Sequence, residues 1–152
     1  MISLTKAYLY QPGESELRWM GETATHFLAT GALTGGIFAL VDERAVRGES
    51  VPLHKHDDVE SFYVLEGEVA FYLDDQAGVR VRAGGFVHIP GGTIHGFRIE
   101  SATARYLILT TPRHGEFYRA ISLPTPHAVI TDAVIGQACQ DNGIEFVGPL
   151  PT

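Results

Sequence analysis

From Thr25 to Thr111 the chain runs in short apolar stretches broken by glycine, proline and acidic pairs. "THFLAT" (25–30) and "GGIFALVDE" (35–43) read as strands, with Gly31, Gly35 and Gly36 between them. "ERAVRGES" (43–50) reads as a charged loop. "ESFYVLEGEVAFYLDD" reads as a hairpin closed near Glu66 and Gly67, and "DDQAG" (74–78) as the next turn. "VRVR" (79–82) alternates apolar and charged residues, as a half-exposed strand does. "FVHI", "HGFRI" and "ARYLILTT" (104–111) continue the series, with "AGG" and "PGGT" as turns. Short strands at this spacing predict an all-β sandwich or barrel.

After Pro112 the periodicity changes. "GEFYRAI" (115–121) reads as one or two helical turns, and 131–141 as a short helix ended by Asn142 and Gly143. "GIEFVGPLP" reads as an extended tail. The organisation expected is one domain: an N-terminal arm with strands (1–34), a barrel core (35–111), and a helical segment with tail (112–152) packed on the barrel or on a partner.

The length of 152 residues suits a single core. A net charge of −7 argues against nucleic acid, whose phosphates call for a surplus of Lys and Arg. With Cys139 alone, no intrachain disulfide can form, which fits a reducing compartment. "MISLTKAYLYQPGESELRWM" lacks the basic start and apolar run of a secretion signal, and no stretch is long enough for a membrane span. The expectation is a cytoplasmic protein away from membranes.

Chemistry concentrates in "GESVPLHKHDDVESFYVLEG" (48–67). Alternate residues of a strand share a face, so His54 and His56 point one way and Lys55 the other. Glu60 opens the next strand, and His95 follows the turn "PGGT" on a face shared with Phe97 and Ile99. An HxH pair alone is most often a surface feature. Three imidazoles and a carboxylate converging inside a barrel are instead a transition-metal site. Phe38, Leu40, Phe62, Phe71, Phe97 and Ile99 are the apolar candidates for the pocket, and Val64 for the interior. His88, His114 and His127 read as surface residues, and His26 as a weak pocket candidate. Asp57 and Asp58 read as solvated turn residues, and Trp19 as packing or a dimer contact.

At this point the chain resembles the cupin superfamily, whose fold is a single jelly-roll barrel, the double-stranded β-helix. Its first motif is a glycine, five residues, HxH, three or four residues, Glu, six residues and a glycine; Gly48, His54, His56, Glu60 and Gly67 match. Its second motif is matched by Gly84, Pro90, Gly92 and His95, with Ile99 where the family has Asn. "HKHDDVESFYVLEGEVAFYL", "GGFVHIPGGTIHGFRI" and "TTPRHGEFYRAIS" together resemble small quercetin 2,3-dioxygenase-like cupins. The resemblance implies one divalent metal (Fe, Ni, Mn, Co, Cu or Zn) held by His54, His56, Glu60 and His95. It also implies a small-molecule substrate of flavonol type, dioxygen as co-substrate, Glu60 as catalytic proton acceptor, and a homodimer. An oxygen-independent isomerase, cyclase or lyase, and a non-enzymatic small-molecule-binding module, remain alternatives from the same fold.

Overall fold

Residues 5–151 are described by the computed structural model. "ALVDERAV" forms strand β3 (Ala39–Val46), which buries Ala39, Val41, Glu43 and Ala45 and turns Asp42 and Arg44 outward. The charged loop expected from residue 43 therefore starts only after Val46. Its charges fit a strand because Asp42 pairs with Arg105 at 2.7 Å on the outer face. This register also corrects the expected placing of Phe38 and Leu40: both are half-buried, and Ala39 and Val41 take the interior positions.

Two antiparallel sheets form. The first has the order β1 (Glu16–Met20), β2 (Thr23–Ala29), β3, β10 (Thr103–Thr110), β5 (Glu60–Glu66), β8 (Phe86–Ile89). The second has the order β11 (Glu145–Gly148), β4 (Ser50–Lys55), β9 (His95–Ile99), β6 (Glu68–Leu73), β7 (Val79–Arg82). Phe62, Val64, Tyr106 and Ile108 from the first sheet pack with Val69, Phe71 and Ile99 from the second. β1 lies within the N-terminal arm (1–34), ahead of the "THFLAT" strand.

The hairpin expected at Glu66–Gly67 is not a hairpin. β5 pairs with β10 and β8, and β6 pairs with β9 and β7, so the chain passes from one sheet to the other at Gly67. Gly67 has φ +79°, and a Cβ there would lie 2.3 Å from the Thr103 carbonyl oxygen. Left-handed backbone and overpacking act together, so Gly67→Ala is expected to lower stability by roughly 2–4 kcal/mol in urea unfolding.

The C-terminal segment is part of the same fold. Helix α1 (Gly31–Thr34) is one turn. Helix α2 (Pro112–Ala120) starts with Thr111 as N-cap and Pro112 in the first turn, and packs on β3 and on α3 (Asp132–Asn142). β2 lies between β1 and β3, so the "THFLAT" strand has no free edge for a partner, whereas β11 is an edge strand. Among the described residues, no helix is long and apolar enough to cross a membrane.

Candidate metal centre

His54 and His95 are direct cross-strand partners on β4 and β9. His56 leaves the end of β4 and Glu60 begins β5 across the short turn 57–59. That turn is locked to the one before His95. Gly92 N–H donates to the His56 carbonyl at 2.8 Å, and Gly91 lies so close that a Cβ would sit 2.2 Å from the Asp57 carbonyl oxygen. Backbone contact between two turns thus brings four side chains from three strands and a loop together. All four are buried, and their donor atoms lie within 4.8 Å of one another.

Each of the three imidazoles is oriented by its own backbone. Nδ1 of His54, His56 and His95 lies 2.8, 2.9 and 2.8 Å from the carbonyl oxygens of Pro52, Asp58 and Thr93. A carbonyl only accepts, so each Nδ1 carries the proton and each Nε2 presents a lone pair to the centre. His56 Nε2 lies 2.9 Å from Glu60 Oε1, and His95 Nε2 lies 3.9 Å from it. Despite this proximity, neither nitrogen has an aligned hydrogen-bond partner. Buried nitrogens left unpaired around a carboxylate are costly unless something else binds them. Imidazole nitrogens held by carbonyls on the far side are the donor set of a first-row transition metal. The residues present fit such an ion.

The electrostatics agree. Burial, helped by the charge of His95, pushes the His54 pKa down to about 4, so this ring is neutral at pH 7 and its lone pair is free. Burial works against ionisation of Glu60, but the charge and hydrogen bond of His114, with the His56 and His95 rings close by, outweigh it. They hold Glu60 well below the usual carboxylate range. Burial also disfavours the charged form of His95, but nearby Glu60 outweighs it and raises that pKa, so a bound cation competes with a proton at this ring.

His114 is not the surface residue expected. It is 1% exposed, and its Nε2 is in close contact with Glu60 Oε1. The signal for it was the helix start: Thr111 at the N-cap and Pro112 after it put His114 in the first turn of α2, facing the barrel mouth. Asp58 is likewise buried, not solvated. It accepts from Thr111 Oγ1 at 2.7 Å and from Arg113 Nη2 at 2.9 Å, which pins the 57–59 turn to α2. Burial opposes its ionisation, and Arg113 and Thr111 outweigh that and lower its pKa. His56, Asp58 and His114 form a second possible ligand group overlapping the first. The Arg113 and Thr111 bonds to Asp58 make this group the poorer donor set.

The cupin-domain family signature matches residues 43–110, which span β3 to β10 and contain all four clustered side chains. The chain carries a cupin domain. It is 32% identical over 123 residues to a quercetin 2,3-dioxygenase of Bacillus subtilis (strain 168), a match covering 80% of this chain and 36% of that protein. The chain therefore spans about a third of the length of this curated relative. In fold it is similar to an RmlC-like cupin from Shewanella frigidimarina (TM-score 0.64, 18% identity, covering 74% of this chain and 96% of that one). It is also similar to KdgF from Halomonas sp. (TM-score 0.62, 17% identity, covering 70% and 94%).

Beside its cluster the cupin has a cavity of about 240 Å³ bounded by His54, Glu60, Phe97, Tyr106, Phe117 and Phe146. The C-terminal segment forms part of its wall: Ile121, Ile130, Ile135 and Ile144 also line it. Of the six apolar pocket candidates, Phe97 lines this cavity. Phe62, Phe71 and Ile99 pack in the core instead, and Phe38 lies at a separate outer groove with His88. Leu40 lies outside the cavity lining, as does His26. His127 and His88 are exposed, and His88 bonds to Ser61. Trp19 is half-buried, and its backbone bridges to Leu123.

One more acid lines the cavity. Glu43 is 2% exposed and accepts from Thr25 Oγ1 at 2.5 Å. Burial pushes its pKa up from 4.5 to about 7 despite that hydrogen bond, with the charges of Glu60 and Asp42 adding to the rise. A raised carboxyl pKa favours the folded state below pH 4.5, and that advantage is lost as pH rises towards 7, because the unfolded chain ionises first. Relative to Glu43→Gln, the metal-free wild type is expected to lose up to about 3 kcal/mol over this interval, read from urea unfolding at a series of pH values. Glu60 titrates in the opposite sense in both proteins, so the comparison between them isolates Glu43.

Proposed function

We propose that this cupin is a metal-dependent dioxygenase of quercetinase type, opening a ring of a flavonol or a similar enolised aromatic hydroxy-ketone. The observation that carries the reading is the position of Glu60, an ionised carboxylate facing three imidazoles on one side and a largely apolar cavity on the other. The similarity to a quercetin 2,3-dioxygenase supports the same substrate class.

His54, His56, His95 and Glu60 would hold the metal, which supplies Lewis acidity that favours the substrate's anionic form and its reaction with dioxygen. The chain's own part is positioning and proton transfer. Phe97, Phe117 and Phe146 hold flat rings and exclude water. Glu60 accepts the enolic proton at a carboxylate oxygen. His114, packed against that oxygen and stacked on Phe117, keeps the carboxylate aimed.

Oxygen-electrode assays of metal-loaded protein with 3-hydroxyflavone and quercetin test the reading. Consumption of one dioxygen per flavonol cleaved is the expected result. Equal turnover without oxygen would move the function to an isomerase or lyase, and tight retention of unchanged flavonol would make it a binding module.

A further inference from the structure

The wall of the cavity has an acid at each end. On the face of β10 that looks inward, Tyr106, Ile108 and Thr110 follow one another. Glu60 is the cross-strand partner of Thr110, and Glu43 is the partner of Tyr106 on the other side. Glu60, Ile108, Tyr106 and Glu43 all line the same cavity. The positions on β10 paired with Glu60 and Glu43 are thus four residues apart, about 13 Å of extended chain, with Ile108 between them. That span is comparable with the length of a flat polycyclic phenol.

Thr25 and Tyr106 are among the largest fully buried side chains, and Glu43 is nearly as inaccessible. A carboxyl group in this setting is not explained by the barrel itself: the corresponding inward positions of β3 are Ala39, Val41 and Ala45. Thr25 occupies Oε2 of Glu43, and the rim beyond it adds Thr23 and the half-buried Glu49 to the cavity lining. The Glu43 end of an otherwise apolar wall is therefore a cluster of hydrogen-bonding groups.

We propose that Glu43, with Tyr106 beside it, is a specificity-determining pole that receives a hydroxyl group at the far end of the substrate. The site then selects two-ended ligands: an enolic oxygen presented to the imidazole cluster and a phenolic hydroxyl presented to Glu43. The proposal rests on the flavonol reading for the chemistry at the first end. Thr25 already donates to Oε2, so a distal hydroxyl adds a bond at Oε1, and an analogue without that hydroxyl forgoes it.

The test is anaerobic binding, followed by flavonol fluorescence, of quercetin and of 3-hydroxyflavone, which lacks the ring hydroxyls. Wild-type protein loaded with zinc is compared with Glu43→Met and Glu43→Gln. The wild type is expected to bind quercetin at least about tenfold tighter, equivalent to ~1.4 kcal/mol. Glu43→Met should abolish the preference while leaving 3-hydroxyflavone affinity within about twofold, and Glu43→Gln, which keeps an accepting oxygen, should retain most of it. A wild type that binds both flavonols equally, or a preference that survives Glu43→Met, overturns the proposal; the wild-type comparison decides even if Glu43→Met fails to fold. Either outcome leaves the dioxygenase reading intact if 3-hydroxyflavone is still cleaved. Binding of neither flavonol overturns both.

Discussion

His56→Ala is expected to weaken metal binding by more than about 100-fold, measured by competition titration with zinc or cobalt. Loss of a residue that merely orients a ligand costs about 10–100-fold, and His56 contributes a donor atom directly. The other three groups cannot close the gap. His54 and His95 are held as cross-strand partners on neighbouring strands, and Glu60 is fixed by His114. The apoprotein should still fold, because the turns that carry the site are joined by backbone contacts that do not involve this ring, including the Gly92 N–H bond to the residue 56 carbonyl. A variant that binds metal as the wild type does would remove His56 from the ligand set.

Glu60→Gln separates binding from chemistry. The amide has nearly the same size, so the three imidazoles stay in place and most metal is retained. It cannot accept the enolic proton, and its contact with His114 Nε2 is no longer to a charge. Loss of a positioned base costs about 10²–10⁴ in rate, and that is the drop expected in flavonol turnover. Stopped-flow and elemental analysis on the same preparation decide between the two effects. Wild-type turnover in Glu60→Gln would show that the proton goes elsewhere.

The parts of this molecule that were legible in its sequence are those governed by local rules. "VRVR", "FVHI" and "HGFRI" form strands with the limits read from the text, because their alternation and flanking turns are local signals. His54 and His56 lie where the two-residue period of a strand puts them, and Gly67 and Gly92 have the positive φ that their turn positions require. What escaped depends on non-local pairing. Gly67 looks like the tip of a hairpin, yet each flanking strand finds better partners in a different sheet. Glu43 looks like loop because it is charged, and only β10 and Thr25 around it make it a buried residue. His114 lies 54 residues beyond Glu60 in a segment with helical period, and only the docking of α2 on β3 brings the two together.

X-ray absorption at the edge of the bound metal, on protein purified without chelator, tests the central claim most directly. Scattering from three imidazole rings and one carboxylate oxygen in the first shell, at about 2.0–2.2 Å, is the predicted result. A first shell with fewer than three imidazoles, or protein that takes up no divalent ion, would contradict it.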